Sequence, residues 1–523
     1  MSDSMKLSRA IAFFKDSGSA TTITQENTAD EVVIDRITFD SRAVTANTLF
    51  VCKGLNFKAS YLKDAVDRGA VAYLSEQDYA ADIPGIIVED IRLAMAQLAN
   101  FFYQSPWQDV AISGITGTKG KTTTAGFVNQ ILTLDSQKKG QALPGFVSST
   151  FNYDGLEKTP STLTTPEAMD LYEMLATMRD NGVKRATMEV SSQALKYHRV
   201  DDVKMQVVAF LNISPDHISP VEHPTFADYF QSKLRIFDHG KVAVINEDTD
   251  HYEEILKAAQ DAENIERIVT VSRKNPAADY FADELAFSET KQTFVVKNQG
   301  EAIPMALNVL GHFNINNALV AAAIARENDV EWATIQKALG DAKTDGRMEI
   351  YRSADNQLTF VVDFAHNKIS FEELFSSVKE MAPDNEIRIV FGSAGGKAEN
   401  RRADMGHVAG LNTNEIYLTS DDPNFEDSYK IMAEIEEAIN GVNPDAKVRS
   451  NLDRTGSIYM AYKDAIASGK PTTIVVAGKG SEDTIKINGR NEIYVPDFEY
   501  VQQLIAFYEF KNRGIYENIM KYT

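Results

Sequence analysis

The sequence predicts an α/β protein of three domains: a small mixed α/β N-terminal domain, a central parallel-sheet domain with a phosphate-binding loop, and a C-terminal Rossmann-like domain. Three observations carry this. From Val110 onward, apolar runs rich in β-branched residues alternate with helical segments, the pattern of a parallel sheet covered on both faces. Glycine-rich and polar motifs follow the C-terminal ends of those runs, where open α/β sheets gather ligands. A chain of 523 residues also exceeds one core, and usual domain sizes suggest about three. The expected boundaries are 1–108, 109–343 and 344–523.

Composition narrows the function. Hydrophobic residues make up 43% and charged residues 24%, as in an ordinary globular protein. No stretch approaches the ~18 consecutive apolar residues of a membrane span, and Met1 to Ala10 lacks a cationic and apolar leader, so a cytoplasmic protein is expected. Cys52 is the only cysteine, which excludes intrachain disulfides and cysteine-rich zinc sites. Lys and Arg number 53 against 75 Asp and Glu, a net charge of −22. Such a surface repels nucleic acid and anionic membranes, and neither is an expected partner. An anionic small substrate would have to be held by local basic pockets.

In the first domain Val32 to Phe39 alternates like a strand, and Asp40-Ser41-Arg42 leads into a second strand, Thr48 to Cys52. Tyr61 to Arg68 reads as a helix, Ala70 to Leu74 and Gly85 to Val88 as short strands, and Ile91 to Tyr103 as a helix. The Asp-Ser-Arg triplet is either a surface turn or a site for an anionic head group.

The second domain opens on its most informative stretch. The strand Val110 to Ile115 delivers Gly117-Thr118-Lys119-Gly120 into Lys121, Thr122 and Thr123, and Phe127 to Leu132 reads as a helix. Glycines let backbone N–H groups turn around phosphate oxygens, the helix N-terminus adds positive potential, and the lysine reaches the outer phosphates. Thr122 would offer its hydroxyl to Mg²⁺. Gly114 and Gly120 enclose five residues where the generic motif has four. Ser161 to Pro166 is then a hydroxyl-rich loop, Glu167 to Arg179 a helix, and Ala186 to Val190 a buried strand that carries Glu189. Met205 to Leu211 is another, running into Asn212-Ile213-Ser214-Pro215-Asp216-His217, and Val242 to Ile245 a third. Glu189 and His217 fall on the same sheet edge as the phosphate loop and are candidate Mg²⁺ ligands, an ion that takes few protein groups.

Between His251 and Met305 only short strands are evident, Phe294-Val295-Val296 the clearest. Gly311 to Asn317 opens an alanine-rich helix that runs to Ala325. Asn314 and Asn317 share one helical face, either to meet one ligand edge or to cap the helix. The third domain has strands at Phe360 to Val362, Ile387 to Phe391, Ile416 to Thr419 and Thr473 to Val476, with helices between. Polar motifs follow each strand. None is GxGxxG, so dinucleotide binding is not assigned.

The ordered motifs resemble the Mur ligases, which build the peptide stem of bacterial cell-wall precursors. The resemblance runs through Asp40-Ser41-Arg42, GITGTKGKTTT, Thr164 to Pro166, Met188 to Ser192, Asn212 to His217 and GHFNINN. It continues through Gly346 to Glu349, Asp363 to His366, Asp421 to Asn424, Asp453-Arg454 and Ala477 to Gly480, and so covers almost the whole chain. The loop with five intervening residues is this family's form. The resemblance implies a UDP-binding N-terminal domain, a central P-loop ATPase domain and a C-terminal domain that brings the incoming amino acid. Within the family the chain looks like the ligases that add the third residue to UDP-N-acetylmuramoyl-L-alanyl-D-glutamate. ATP would phosphorylate the terminal carboxylate, and the amine would attack the acyl phosphate. A monomer acting on ATP, UDP-muramyl-dipeptide and an amino acid is expected.

Residue by residue, the resemblance places ATP phosphates on Gly117 to Thr123, with Lys121 catalytic, and Mg²⁺ on Thr122, Glu189 and His217. Lys233 matches the lysine that carries a CO₂-derived carbamate, which would add it to the metal ligands, and Lys233, His217 and Glu189 join Lys121 as the catalytic residues the resemblance implies. Ser41 and Arg42 match the uridine-nucleotide contacts, and Thr164, Thr165, Ser191 and Arg199 the muramyl-dipeptide contacts. Asn314 and Asn317 fall where adenine is read, and Arg347, Asp363 and Arg454 around the ribose and phosphates. Lys119 stands where many members have asparagine, Gln193 replaces a histidine, and Tyr197 replaces a substrate-side glutamine.

Diaminopimelate-adding relatives carry Asp-Asn-Pro-Arg, whose arginine clamps the distal carboxylate of that substrate. Here Asp421-Asp422-Pro423-Asn424 lacks the clamp and adds a negative charge, which suits a side-chain ammonium. Gly478 and Glu482 match further contacts to the amino acid, and Lys397 stands where an arginine holds its α-carboxylate. The expected substrate is L-lysine, with ornithine or another diamino acid as the alternative. Folylpolyglutamate synthetase is the runner-up enzyme, and residues 1–108 count against it. A decayed, non-catalytic scaffold would have lost Lys121, Glu189, His217 or Lys233.

Overall fold

A computed structural model describes residues 4–512, except 55–56, 217, 220–221, 289–290, 343–347 and 397–398. The chain divides into two compact units, residues 1–214, 227–280 and 320–335 in one and 215–226, 281–319 and 336–523 in the other.

The first unit contains two sheets that matter here. Near the N-terminus the order is Ala20–Ile23, Gly85–Val88, Ala70–Ser75, Thr48–Val51 and Arg36–Thr38, parallel except for its first strand. The single strand expected over Val32 to Phe39 is two short ones. Val33–Ile34 pairs with Met5–Lys6, whereas Arg36–Thr38 pairs with Thr48–Val51, so the alternation continues while the partner changes. Helix Leu7–Asp16, absent from the expected elements, buries Leu7, Ala10, Ile11 and Phe14, one helical face.

The second sheet runs Lys158–Pro160, Phe151–Tyr153, Gly145–Val147, Arg185–Glu189, Ala111–Thr116, Met205–Phe210, Gly240–Asn246 and Arg267–Ser272. Its six strands from Gly145–Val147 onward are parallel, Arg185 opposite Ala111 and Val207 opposite Ser113. Ile112, Ile115, Val207, Val208, Val244 and Ile245 are buried, as an internal sheet requires. The helix after the phosphate loop spans Lys121–Lys139, longer than Phe127 to Leu132, because its first turn, Lys-Thr-Thr-Thr, carries no apolar signal.

The second unit holds an antiparallel meander, Tyr280–Phe287, Gln292–Asn298 and Glu301–Leu307. Its main sheet runs Glu349–Arg352, Leu358–Asp363, Thr472–Ala477, Glu386–Phe391, Glu415–Thr419 and Lys447–Asn451. All but the first strand are parallel. One face packs on helices Lys368–Met381, Asn400–Asn412 and Ser428–Val442 through Phe371, Leu374, Met405 and Ile435. The other packs on Arg454–Ser468 and Asp497–Asn512 through Ile458, Tyr462, Val501 and Leu504. This is the doubly wound plan expected. Among the described residues no helix is long and apolar enough to cross a membrane.

Candidate active site

The phosphate loop is stitched to the end of the neighbouring strand. Gly117 has φ +156°, and a Cβ there would lie 2.8 Å from Leu211 Cβ, so only glycine lets the two backbones approach. Thr118 N donates to Asn212 O at 3.0 Å. The Asn212 amide grips the next residue twice, accepting from Lys119 N at 2.8 Å and donating to Lys119 O at 3.1 Å. Ser214 N and Tyr229 Oη each donate to Thr118 Oγ1 at 3.1 Å. Gly120, at φ +83°, turns the chain into helix Lys121–Lys139. Lys121 Nζ folds back over the loop, donating to Gly117 O at 2.8 Å and Thr118 O at 3.2 Å. Open N–H groups at a helix start and an ammonium over the same turn form an anion cradle.

Glu189 closes one side of this cradle. It is 1% exposed. Thr122 Oγ1 donates to its Oε2 at 3.0 Å, and Ser148 Oγ, Ser149 N and Ser149 Oγ donate to Oε1 at 2.7, 2.9 and 3.2 Å. Among the described residues every donor to this carboxylate is neutral, and none is a cation. A buried carboxylate held only by neutral donors fits a bound cation, and Thr122 beside it is a second hard oxygen ligand. No cluster of three His, Cys, Asp or Glu forms among the described residues, and Mg²⁺ on phosphates does not need one. Lys233, on helix Phe226–Leu234, is 1% exposed, and its Nζ donates to Gly117 O at 2.9 Å. It lies over the Tyr229 ring at 4.9 Å. His217 lies outside the described residues.

The residues expected at the muramyl-dipeptide lie next to Glu189 along the chain or by hydrogen bonding. Thr165 Oγ1 donates to Glu189 O at 2.8 Å and accepts from Ser191 N at 3.0 Å. Ser191 caps the short helix Ser192–Lys196 by accepting from Ala194 N. Arg199 is buried; its Nη1 donates to Thr165 O at 3.2 Å and its Nη2 pairs with Glu167 at 2.8 Å. Thr164 is half-buried beside them. Ser41 and Arg42 lie in a 3₁₀ turn capped by Asp40, and the exposed Arg42 guanidinium forks onto that carboxylate. Arg42 in turn holds the Asp40 carboxyl below its ordinary range.

In the second unit Asn314 and Asn317 share a helical face, as expected, and the structure joins them. Asn317 Nδ2 donates to Asn314 Oδ1 at 3.0 Å, and Asn314 Nδ2 donates to Leu310 O at 2.7 Å. Asp363 fixes the backbone on either side of it in space, accepting from Met348 N at 2.8 Å and Ala365 N at 2.7 Å. Arg347 and Lys397 lie outside the described residues.

The acceptor motifs converge. Asp421 is buried, and a Cβ on Gly478, at φ +115°, would sit 2.4 Å from Asp421 Oδ2. Desolvation raises the Asp421 carboxyl despite Arg454 and Lys479. Lys479, 1% exposed, pairs with Asp422 Oδ1 at 2.9 Å and with Glu482. Burial raises the Glu482 carboxyl against the pull of that lysine. Arg454 forks onto Asp497 at 2.8 and 2.6 Å and donates to Ala477 O at 2.9 Å, so its side chain belongs to this cluster. Asn424, at φ +54°, accepts from Gly489 N through Oδ1, and its backbone pairs with Lys486 and Asn488, anchoring the hairpin Thr484–Ile487 and Arg490–Ile493.

Sequence reasoning missed several members. Ser148 and Ser149 follow a strand as a hydroxyl pair, a detectable but weak signal. Asn212 lay within a recognised motif without a role. Asp497, far from any motif, carried no signal at all.

Comparison with known proteins places these sites in context. Residues 115–325 match the Mur ligase middle domain and residues 346–480 the Mur ligase, glutamate ligase domain. The UDP-N-acetylmuramoyl-L-alanyl-D-glutamate–L-lysine ligase of Enterococcus faecalis is 40% identical over 491 residues, covering 92% of this chain and 94% of the relative. A solved UDP-N-acetylmuramoyl-L-alanyl-D-glutamate–2,6-diaminopimelate ligase superposes with TM-score 0.64 at 25% identity, over 91% of this chain and 96% of that one. A folylpolyglutamate synthase of Mycobacterium tuberculosis, complexed with ADP and AMPPCP, shares the fold at TM-score 0.60 and 16% identity, over 74% of this chain and 92% of its own.

Proposed function

We propose, from the premise that this chain belongs to the Mur ligase family, that it joins L-lysine to the D-glutamate of UDP-N-acetylmuramoyl-L-alanyl-D-glutamate with hydrolysis of ATP to ADP and phosphate. The observation that carries the reading is the buried Glu189 carboxylate, bonded to the Thr122 hydroxyl of the phosphate loop and to neutral donors only among the described residues.

ATP is a substrate whose β- and γ-phosphates suit the loop N–H groups and Lys121. Thr122, Glu189 and His217 would hold Mg²⁺, which when bound neutralises phosphate charge and orients the transferred group. A substrate carboxylate oxygen attacks the γ-phosphorus, the bond to the β-phosphate oxygen breaks, and ADP leaves. The amino acid's free amine then attacks the acyl carbon, phosphate leaves, and the amine's surplus proton passes to solvent or a base. Lys121 stabilises the charge on the transferring phosphoryl group, and the Asn212 clamp keeps the loop in one geometry. Ser41, Arg42, Thr164, Thr165, Ser191 and Arg199 bind the UDP-muramyl-dipeptide. Asn314, Asn317, Arg347 and Asp363 bind the nucleotide, Arg454 acts from the acceptor cluster, where Asp497 and Ala477 O hold it, and Lys397 binds the amino acid's carboxylate.

Lysine is favoured by charge. Among the described residues, Lys479 and Arg454 are the side-chain cations that answer Asp421, Asp422, Glu482 and Asp497, so carboxylates are in surplus where an ammonium would enter. Lys233 is carbamylated in this reading, which would put an anion beside the metal; its burial against the phosphate loop supports this. A ¹³C carbamate resonance after incubation with labelled bicarbonate, absent in Lys233→Ala, tests that separately. The domain boundaries proposed are 1–108, 109–343 and 344–523, supported by one main sheet within each. The whole reading is tested by phosphate release from ATP with UDP-muramyl-dipeptide and a panel of amino acids. Release with lysine is expected; faster release with diaminopimelate sinks the acceptor assignment, and none with any amino acid sinks the ligase.

A further inference from the structure

In the first unit, three cations from separate elements surround one carboxylate. Lys53 follows strand Thr48–Val51, Arg92 lies in the first turn of helix Ile91–Phe102, and Arg199 follows helix Ser192–Lys196. Lys53 Nζ pairs with Glu167 Oε2 at 2.7 Å and Arg199 Nη2 with Oε1 at 2.8 Å. Arg92 is near enough to act electrostatically on both Lys53 and Glu167. The three are also held apart. Lys53 sits over the Phe39 ring at 4.2 Å and Arg92 over the Tyr197 ring at 4.4 Å.

Positive charge is in surplus there. Arg92 makes no ion pair among the described residues, and Arg199 Nε is buried without a hydrogen-bond partner. Burial lowers the Lys53 ammonium although Glu167 works to raise it, and Arg92 and Arg199 add to the lowering. Asp170 also feels Lys53 but makes no ion pair with any of the three cations among the described residues, and burial, with Glu173 beside it, pushes its carboxyl up to about 6. Asp40 is already forked by Arg42. In a chain of net charge −22, such a concentration of cations needs an anion to complete it.

Position narrows the anion. Arg199 donates to Thr165 O, and Thr165 Oγ1 donates to the backbone O of Glu189, so the cluster is two hydrogen bonds from the residue whose carboxylate lies beside the phosphate loop. We propose that Lys53 and Arg92, together with Arg199, bind a carboxylate at the peptide end of the nucleotide-sugar substrate, while Glu167 spaces the cations. This rests on the ligase reading above. Lys53 supplies a point charge from the N-terminal sheet, and Arg92 supplies a planar pair of donors kept in one plane by Tyr197.

The test compares Lys53→Met, Lys53→Arg and Arg92→Gln with wild type, using calorimetric titration of UDP-N-acetylmuramoyl-L-alanyl-D-glutamate and of UDP-N-acetylglucosamine, which keeps the diphosphate but has no peptide carboxylate. Lys53→Met and Arg92→Gln should each weaken the peptide-bearing ligand about tenfold, the scale of one charged hydrogen bond. UDP-N-acetylglucosamine binding and the KM for ATP should stay within twofold, and Lys53→Arg should recover most of the loss. Arg92 forms no ion pair among the described residues, so Arg92→Gln carries the test if Lys53→Met unfolds. Unchanged affinity for the peptide-bearing ligand in a folded Arg92→Gln overturns the proposal, and so does equal weakening of both ligands, which would assign the site to the diphosphate. Wild-type turnover alongside either result leaves the ligase reading standing, whereas wild-type protein that neither binds nor uses the peptide-bearing ligand removes both.

Discussion

Arg402 carries a guanidinium into the interior of the second unit at 1% exposure, and Glu426 answers it with both oxygens, at 2.9 and 2.6 Å. Glu434 and the Gly396 N–H complete the group. The Arg402 hydrogen bonds dominate, with burial opposing, and hold the Glu426 carboxyl at about 2 against an ordinary 4.5. A depressed carboxyl contributes stability above its unfolded value and loses it as pH falls towards its folded one. Glu426→Gln should therefore lower unfolding free energy by about 2–3 kcal/mol at pH 7, with the difference shrinking between pH 4.5 and about 2. Urea titrations of both proteins across that interval check it. A deficit that persists unchanged at pH 2 would mean packing, not ionisation, holds Glu426 in place.

Helix Lys121–Lys139 shows how an element can be set by its ends. Its interior has little amphipathic contrast, and its first turn is polar, so glycines define both limits: Gly120 at φ +83° and Gly140 at φ +63°. At Gly140 the Gly140 and Gln141 N–H groups bond Gln137 O and Ser136 O, and a Cβ would meet nothing within 4 Å. The cost of Gly140→Ala is thus backbone strain alone, about 1 kcal/mol, with Gly140→Asn nearer wild type. A thermal or urea series across the three proteins measures it, and an Ala variant as stable as wild type contradicts the assignment of the C-cap. The same helix shows what the sequence made legible. The loop into it was readable because phosphate binding demands glycine, lysine and threonine at fixed spacing. Its true length was not, because helix propensity without an apolar stripe leaves no period to read. The Val32 to Phe39 segment failed differently, since alternation reports a strand but not a change of partner. Of the site, Glu189 and Lys121 could be found from motifs. Resemblance puts Arg454 near the nucleotide, while its fork onto Asp497 depends on a residue 43 positions away that no local pattern connects to it.

At the scale of the whole molecule, 53 basic and 75 acidic side chains leave −22 charges to repel one another. Two effects of salt then compete. Screening weakens exposed ion pairs such as Lys257–Asp261 and Lys337–Asp341, both largely solvent-facing, but each such pair is worth only about 0–1 kcal/mol. Screening also relieves the repulsion of the net charge, which acts over about 30 Å at 0.01 M salt and only about 8 Å at 0.15 M. Strong pairs such as Arg454–Asp497 are fully buried and respond little. The repulsive term therefore wins, and raising sodium chloride from about 0.01 to 0.15 M should raise the melting temperature by a few degrees. Scanning calorimetry at both salt levels, with sucrose at matched osmolality as the uncharged control, decides between them. A falling melting temperature would show that local ion pairs, not the global field, govern the electrostatics of this chain, and would weaken the case that anionic ligands need clusters such as Lys53, Arg92 and Arg199 to overcome it.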